Sequence, residues 1–104
     1  MYESRKEAAA GCRMEAAAAK RFSAAAIKFA QRCECRKAWN MADTARIAAT
    51  CAMQAHEALW ELSGGKLTEK EWQAFEAAEI AQIEAQKAVR AAAAAVEQIN
   101  QRVQ

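Results

Sequence analysis

Proline is absent from this 104-residue sequence, and glycine occurs only at Gly11, Gly64 and Gly65. A many-stranded, turn-rich β fold is excluded by that scarcity, because tight turns depend on these residues. Large apolar residues are also few: Leu, Ile, Val and Phe together number 14, against 30 Ala. So few branched residues signal disorder only alongside high net charge, and here the net charge is +2. No apolar run approaches the roughly 18 residues of a membrane span. The opening Met1-Tyr2-Glu3-Ser4-Arg5-Lys6-Glu7 lacks the apolar centre of a secretory signal, so a cytoplasmic location is expected. What remains is abundant in strong helix formers, and an all-α domain over residues 1–104 follows.

The clearest punctuation lies between Leu62 and Trp72. Ser63-Gly64-Gly65 offers positive φ for a helix end, and Thr68-Glu69-Lys70-Glu71 reads as a capping box opening the next helix. Leu67 and Trp72 stand where a hydrophobic staple would. The last helix then runs without a breaker over about 69–102. Phe75, Gln82, Val89, Val96 and Val103 recur every seven residues, beside a line of Ala78, Ala85, Ala92 and Ile99. Such a seam, with a small residue in nearly every pair, asks for a closely packed partner helix.

A first helix is placed at about 4–38, with Cys12, Ala19, Ala26 and Cys33 along its seam and Glu15, Phe22, Phe29 and Arg36 beside it, Phe22 and Phe29 being the only large apolar knobs of that seam. Gly11 is a weak point in it. The middle helix, about 43–62, is apolar around most of its circumference and so contacts both others. Asn40 as C-cap and Asp43 as N-cap place the first turn at Trp39–Asp43. The competing reading is one continuous helix over 4–62, paired within a dimer. The expected architecture is an antiparallel three-helix bundle with Ala-rich heptad seams and long first and last helices. Those outer helices would overhang the middle one, and self-association is expected to cover them.

Chemistry is sparse. Cys33 and Cys35 point about 200° apart on a helix, Cys12 is remote, and Cys51 and His56 diverge, so no metal ligand set is expected. Cys12, Cys33 and Cys51 read as small core residues, and Cys35 as the most exposed thiol. His56, the only histidine, reads as a packed, hydrogen-bonded core residue lying opposite Phe75. Trp60 and Trp72 read as core anchors across the Gly64 hairpin. There is no phosphate loop, nucleophile elbow or zinc-protease motif, so no catalytic residues, enzymatic activity or cofactor are expected.

Charge is the informative surface feature. Residues 1–40 hold nine basic and four acidic side chains, net +5; residues 41–104 hold six and nine, net −3. Lys20, Arg21, Lys28, Arg32, Arg36 and Trp39 are therefore the candidate partner-binding residues. The alternative is that Glu76, Glu79, Glu84 and Glu97 of the last helix neutralise this ridge. The reading is a non-enzymatic protein-interaction module. Size and simplicity suggest a small inhibitor of the phage or mobile-element type, or an accessory subunit of a nucleoprotein complex. Two alternatives stand beside it: a nucleic-acid-binding protein using the same ridge, and a thiol or metal bundle using Cys33, Cys35, Cys51 and His56.

Overall fold

The computed structural model describes residues 2–103, which form three helices, α1 (Arg5–Gln31), α2 (Cys35–Ser63) and α3 (Glu69–Val103). Each packs against both others, giving an all-α antiparallel three-helix bundle whose Cα atoms span 55 × 20 × 16 Å.

Local chemistry sets most of the boundaries. Ser4 caps α1 by accepting a hydrogen bond from the Glu7 amide at 3.2 Å. Gly64 (φ 64°) ends α2 in a left-handed residue, with the Gly65 amide donating to Trp60 O at 3.1 Å and the Gly64 amide to Glu61 O at 3.2 Å. The Thr68–Glu71 capping box closes as expected: the Glu71 amide donates to Thr68 Oγ1 and the Thr68 amide to Glu71 Oε1. Arg5 then clamps Glu71 through two hydrogen bonds, 2.6 and 2.9 Å, and also donates to Lys66 O at 2.8 Å. Gly11 is no flaw. The Tyr2 ring lies over it so closely that a β-carbon there would overlap the phenol.

The first turn is not at Trp39–Asp43. It lies at Arg32–Glu34, so α1 stops at Gln31 rather than about 38, and α2 begins at Cys35 rather than about 43. The stop is again a left-handed residue, but the residue is Cys33 (φ 58°). The Cys33 amide donates to Ala30 O at 3.0 Å and the Glu34 amide to Phe29 O at 2.9 Å, the same bonding that Gly64 makes possible later. Asn40 and Asp43 sit inside α2, where Asn40 O accepts from the Thr44 hydroxyl and Asp43 pairs with Arg46. A side chain held in this conformation costs on the order of 1 kcal/mol. Cys33→Gly is accordingly expected to stabilise the bundle by about 0.5–1 kcal/mol, raising Tm by a few degrees in a thermal melt. A lower Tm would show that the Cys33 side chain contributes more than its backbone costs.

Moving the turn makes α1 (27 residues) and α2 (29) nearly equal, and only α3, with 35, is longer than its neighbours. The expected overhang of both outer helices is thus reduced to the C-terminal turns of α3. Ala78, Ala85 and Ala92 form its buried line as anticipated, while Phe75 is buried and Gln82, Val89 and Val96 are half-buried; the Val103 side chain lies outside the described residues.

The core is unusual in composition. Among the described residues, every buried apolar residue is alanine except Cys12, Leu59 and Phe75. These alanines stack in three clusters along the rod, with Leu59, Cys12 and Phe75 in the first, near the α2–α3 hairpin. Alanine against alanine lets helix axes approach to about 8 Å, the low end of helix packing. Little space remains between the helices for anything larger. Large side chains are consequently displaced outward: Met14, Trp39, Ile47, Trp60, Leu62, Trp72, Ile80 and Ile83 are all at least 40% exposed.

Candidate functional site

The helices sort the charged and aromatic residues onto two separate regions. The first is the anticipated basic ridge. Arg21 and Lys28 lie on the outer face of α1, about three turns and one turn from its end, and Arg21 rests 5.5 Å from the Phe22 ring centroid. Arg32 forms the C-cap of α1, and Arg36 stands in the first turn of α2, so Lys28, Arg32 and Arg36 gather at one end of the bundle. Lys37 joins them, 5.6 Å from the Phe29 centroid and 3.4 Å from Glu34. Lys20 is exposed but turns toward α3, where it lines a groove with Arg13, Ile80 and Glu84. Trp39 also departs from the group. It lies in the helix rather than at the turn, 40% exposed and one heptad before Arg46, which lines the groove between α2 and α3.

Lys20, Arg21, Lys28, Arg32 and Arg36 make no ion pair with any of the described residues. Glu76, Glu84 and Glu97 of α3 likewise pair with no cation, and Glu79 approaches only His56. The neutralisation considered from the sequence therefore does not occur through direct contacts, and the ridge keeps its charge.

The second region is an aromatic surface at the α2–α3 hairpin. Trp60 lies 6.4 Å from Trp72 and 5.7 Å from Phe75, with Trp72 and Phe75 edge-to-face at 5.4 Å. His56 stacks on Phe75 at 3.5 Å with 21° between ring planes. Together with Glu57 and Glu61 these rings line an open recess of about 510 Å³, and a neighbouring one holds Glu69, Gln73 and Glu76 beside the other side of Trp72. The pairing of Trp60 with Trp72 and of His56 with Phe75 matches the sequence register. Their role as core anchors does not: Trp60 and Trp72 remain 46% and 42% exposed. The abundance of alanine at the core positions on all three helices was the available signal, since helices that approach this closely cannot enclose an indole.

Two carboxylate and imidazole environments govern pH dependence. The Arg5 hydrogen bonds, assisted by the Thr68 amide, pull the Glu71 carboxyl down to about 2. A depressed carboxylate contributes stability that is complete above its unfolded value and lost as pH falls toward the folded one. The Tm difference between the wild type and Arg5→Ala is thus expected to be constant near neutrality and to close between about pH 4.5 and pH 2; a gap independent of pH would show that the clamp does not act through Glu71. Burial lowers the His56 pKa, opposed by Glu79, whose Oε2 stands 3.7 Å from Nε2, beyond hydrogen-bonding distance. Nε2 is buried without a partner. The neutral imidazole is the form this stack accommodates, and protonation below its ordinary pKa weakens the fold.

The cysteines are unpaired, with Cys12 buried and Cys33, Cys35 and Cys51 half-buried. Burial pushes the Cys12 thiol up to about 11, away from thiolate chemistry at neutral pH. Among the described residues, no three His, Cys, Asp or Glu side chains converge as a metal site, and no helix is long and apolar enough to cross a membrane.

No protein-family model matches the chain, and comparison with curated proteins and with solved structures returns no match.

Proposed function

We propose that the protein is a non-enzymatic interaction module that binds a protein partner, alone or within a nucleoprotein complex, through the faces of its helices. The observation that carries this reading is the inverted distribution of side chains: alanine fills the core, and three tryptophans and three isoleucines of α2 and α3, Trp60, Trp72, Ile80 and Ile83 among them, stand exposed. Contiguous apolar and aromatic surface of this kind marks contact regions, and Trp is among the residues that dominate binding energy. Trp60 and Trp72 join the six residues singled out from the sequence as its contact set. Self-association belongs to the same reading. Four unpaired cysteines suit a reducing compartment such as the cytoplasm.

The unpaired basic ridge favours a second reading, direct binding of nucleic acid through Lys20, Arg21, Lys28, Arg32 and Arg36. Affinity capture of the tagged protein from native lysate, with and without nuclease, separates the two. A stoichiometric protein partner that survives nuclease, and is lost on reversing Lys20, Arg21 and Lys28 to Glu or Trp60 and Trp72 to Ser, supports the interaction module. Recovery that disappears with nuclease, together with an affinity for duplex that falls steeply with salt, supports the second reading.

A further inference from the structure

The exposed side of α3 carries a second heptad pattern, distinct from its buried seam, and Ile80 at its edge borders the groove shared with α1. Gln73, Ile80, Lys87 and Ala94 form one line and Glu76, Ile83 and Arg90 the next, and all seven are exposed. Ile80 and Ile83 each keep 53% of their surface in water. A bundle that buries alanine and leaves adjacent isoleucines outside has an apolar face that its own fold does not use.

The charges around those isoleucines are ordered. Glu69, Glu76 and Glu79 precede them and Lys87 and Arg90 follow on this face, while Lys70 and Glu84 lie in the adjoining line at its edge. Glu76, Lys87 and Arg90 make no ion pair with any described residue. The pattern is therefore complementary to its own reverse. Laid antiparallel, a second α3 brings Ile80 of each copy against Ile83 of the other. The same register sets Glu76 against Lys87 and Gln73 against Arg90, the alternation of layers that an antiparallel coiled coil requires. On one flank Glu79 meets Gln86 and Trp72 meets Ala93, so no like charges oppose each other there. A parallel arrangement instead sets Glu76 against Glu76 and Lys87 against Lys87, a repulsive pairing at both ends.

We propose that a second copy of this chain docks antiparallel along the exposed face of α3, with Ile80 and Ile83 at its centre and reciprocal Glu76–Lys87 pairs on either side. This rests on the reading of the chain as a self-associating interaction module and names the face, orientation and register of that contact. The interface is isologous and closes at two copies. A single helix-to-helix contact is small beside the roughly 1,200–2,000 Å² of stable complexes, so the dimer is a weak one. Its exposed ion pairs make it weaker still at high salt.

Sedimentation equilibrium of the full chain from about 10 μM to about 1 mM at low salt, a range that brackets weak association, tests this. The wild type is expected to populate a dimer, and Ile80→Glu with Ile83→Glu to be monomeric with unchanged helicity by circular dichroism. Glu76→Lys and Lys87→Glu are each expected to weaken association by about tenfold or more, and the doubly exchanged chain to recover it. An equimolar mixture of the two single variants recovers it too, since every pair is then opposite in charge. A wild type that stays monomeric throughout overturns both self-association and this face. A dimer indifferent to the isoleucine substitutions leaves self-association standing but removes it from α3. Loss on the isoleucine substitutions without recovery on charge exchange overturns the antiparallel register.

Discussion

Leu59→Ala is expected to destabilise the bundle by about 2–5 kcal/mol, toward the upper end of that range. Leu59 is the largest fully buried side chain, held among Ala8, Ala9, Cys12, Ala52, Ala55, Ala74, Phe75 and Ala78. A cavity usually shrinks when long neighbours swing into it. Six of these eight neighbours are alanines fixed to helix backbones, and only Phe75 with Tyr2, Met53 and Leu67 at the edge of the cluster can swing inward, so much of the space left by Leu59 persists. Against a typical stability of about 5–15 kcal/mol, this one substitution removes a large share. Urea unfolding with unchanged m-value measures it, and a loss below about 1 kcal/mol would mean that the helices close over the gap.

The opposite change, Ala78→Leu, is expected to destabilise by about 3 kcal/mol or more, the severe end of overpacking. Ala78 is fully buried, as are Ala52 and Ala55 of the same cluster. Three added carbons at Ala78 must displace Leu59 or Phe75 of the same cluster or push two helix backbones apart. That separation breaks alanine contacts along the rod beyond the point of insertion. Ala24→Leu, on the exposed side of α1, is the matched control and is expected to change stability by less than about 0.5 kcal/mol. Equal effects at the two positions would refute close helix packing as the organising feature of the fold.

These two substitutions also explain which parts of the molecule were legible in the sequence. The hairpin around Gly64 was, because Ser63, Gly64, Gly65, Thr68 and Glu71 each use a residue type suited to its backbone task. The three-helix count and the alanine seams followed from periodicity. The first turn was hidden because its left-handed position is occupied by Cys33, which carries no turn signal, while Asn40 and Asp43 imitate helix caps inside a continuous helix. The basic ridge was visible as composition, but whether α3 neutralises it is a matter of side-chain distance that spacing does not give. Trp60 and Trp72 were paired correctly and placed on the wrong side of the surface. Large residues are ordinarily assigned to the interior; here the alanines had already filled it.

On the proposed function, the large side chains outside the core serve a partner rather than the fold. Affinity capture with a Trp60→Ser, Trp72→Ser chain, paired with its circular dichroism spectrum, tests this most directly. The doubly substituted chain is expected to be folded and fully helical and no longer to retain the protein partner captured by the wild type. A folded variant that retains the same partner in the same amount would contradict it, as would a variant that loses its helices outright, since the tryptophans would then belong to the fold.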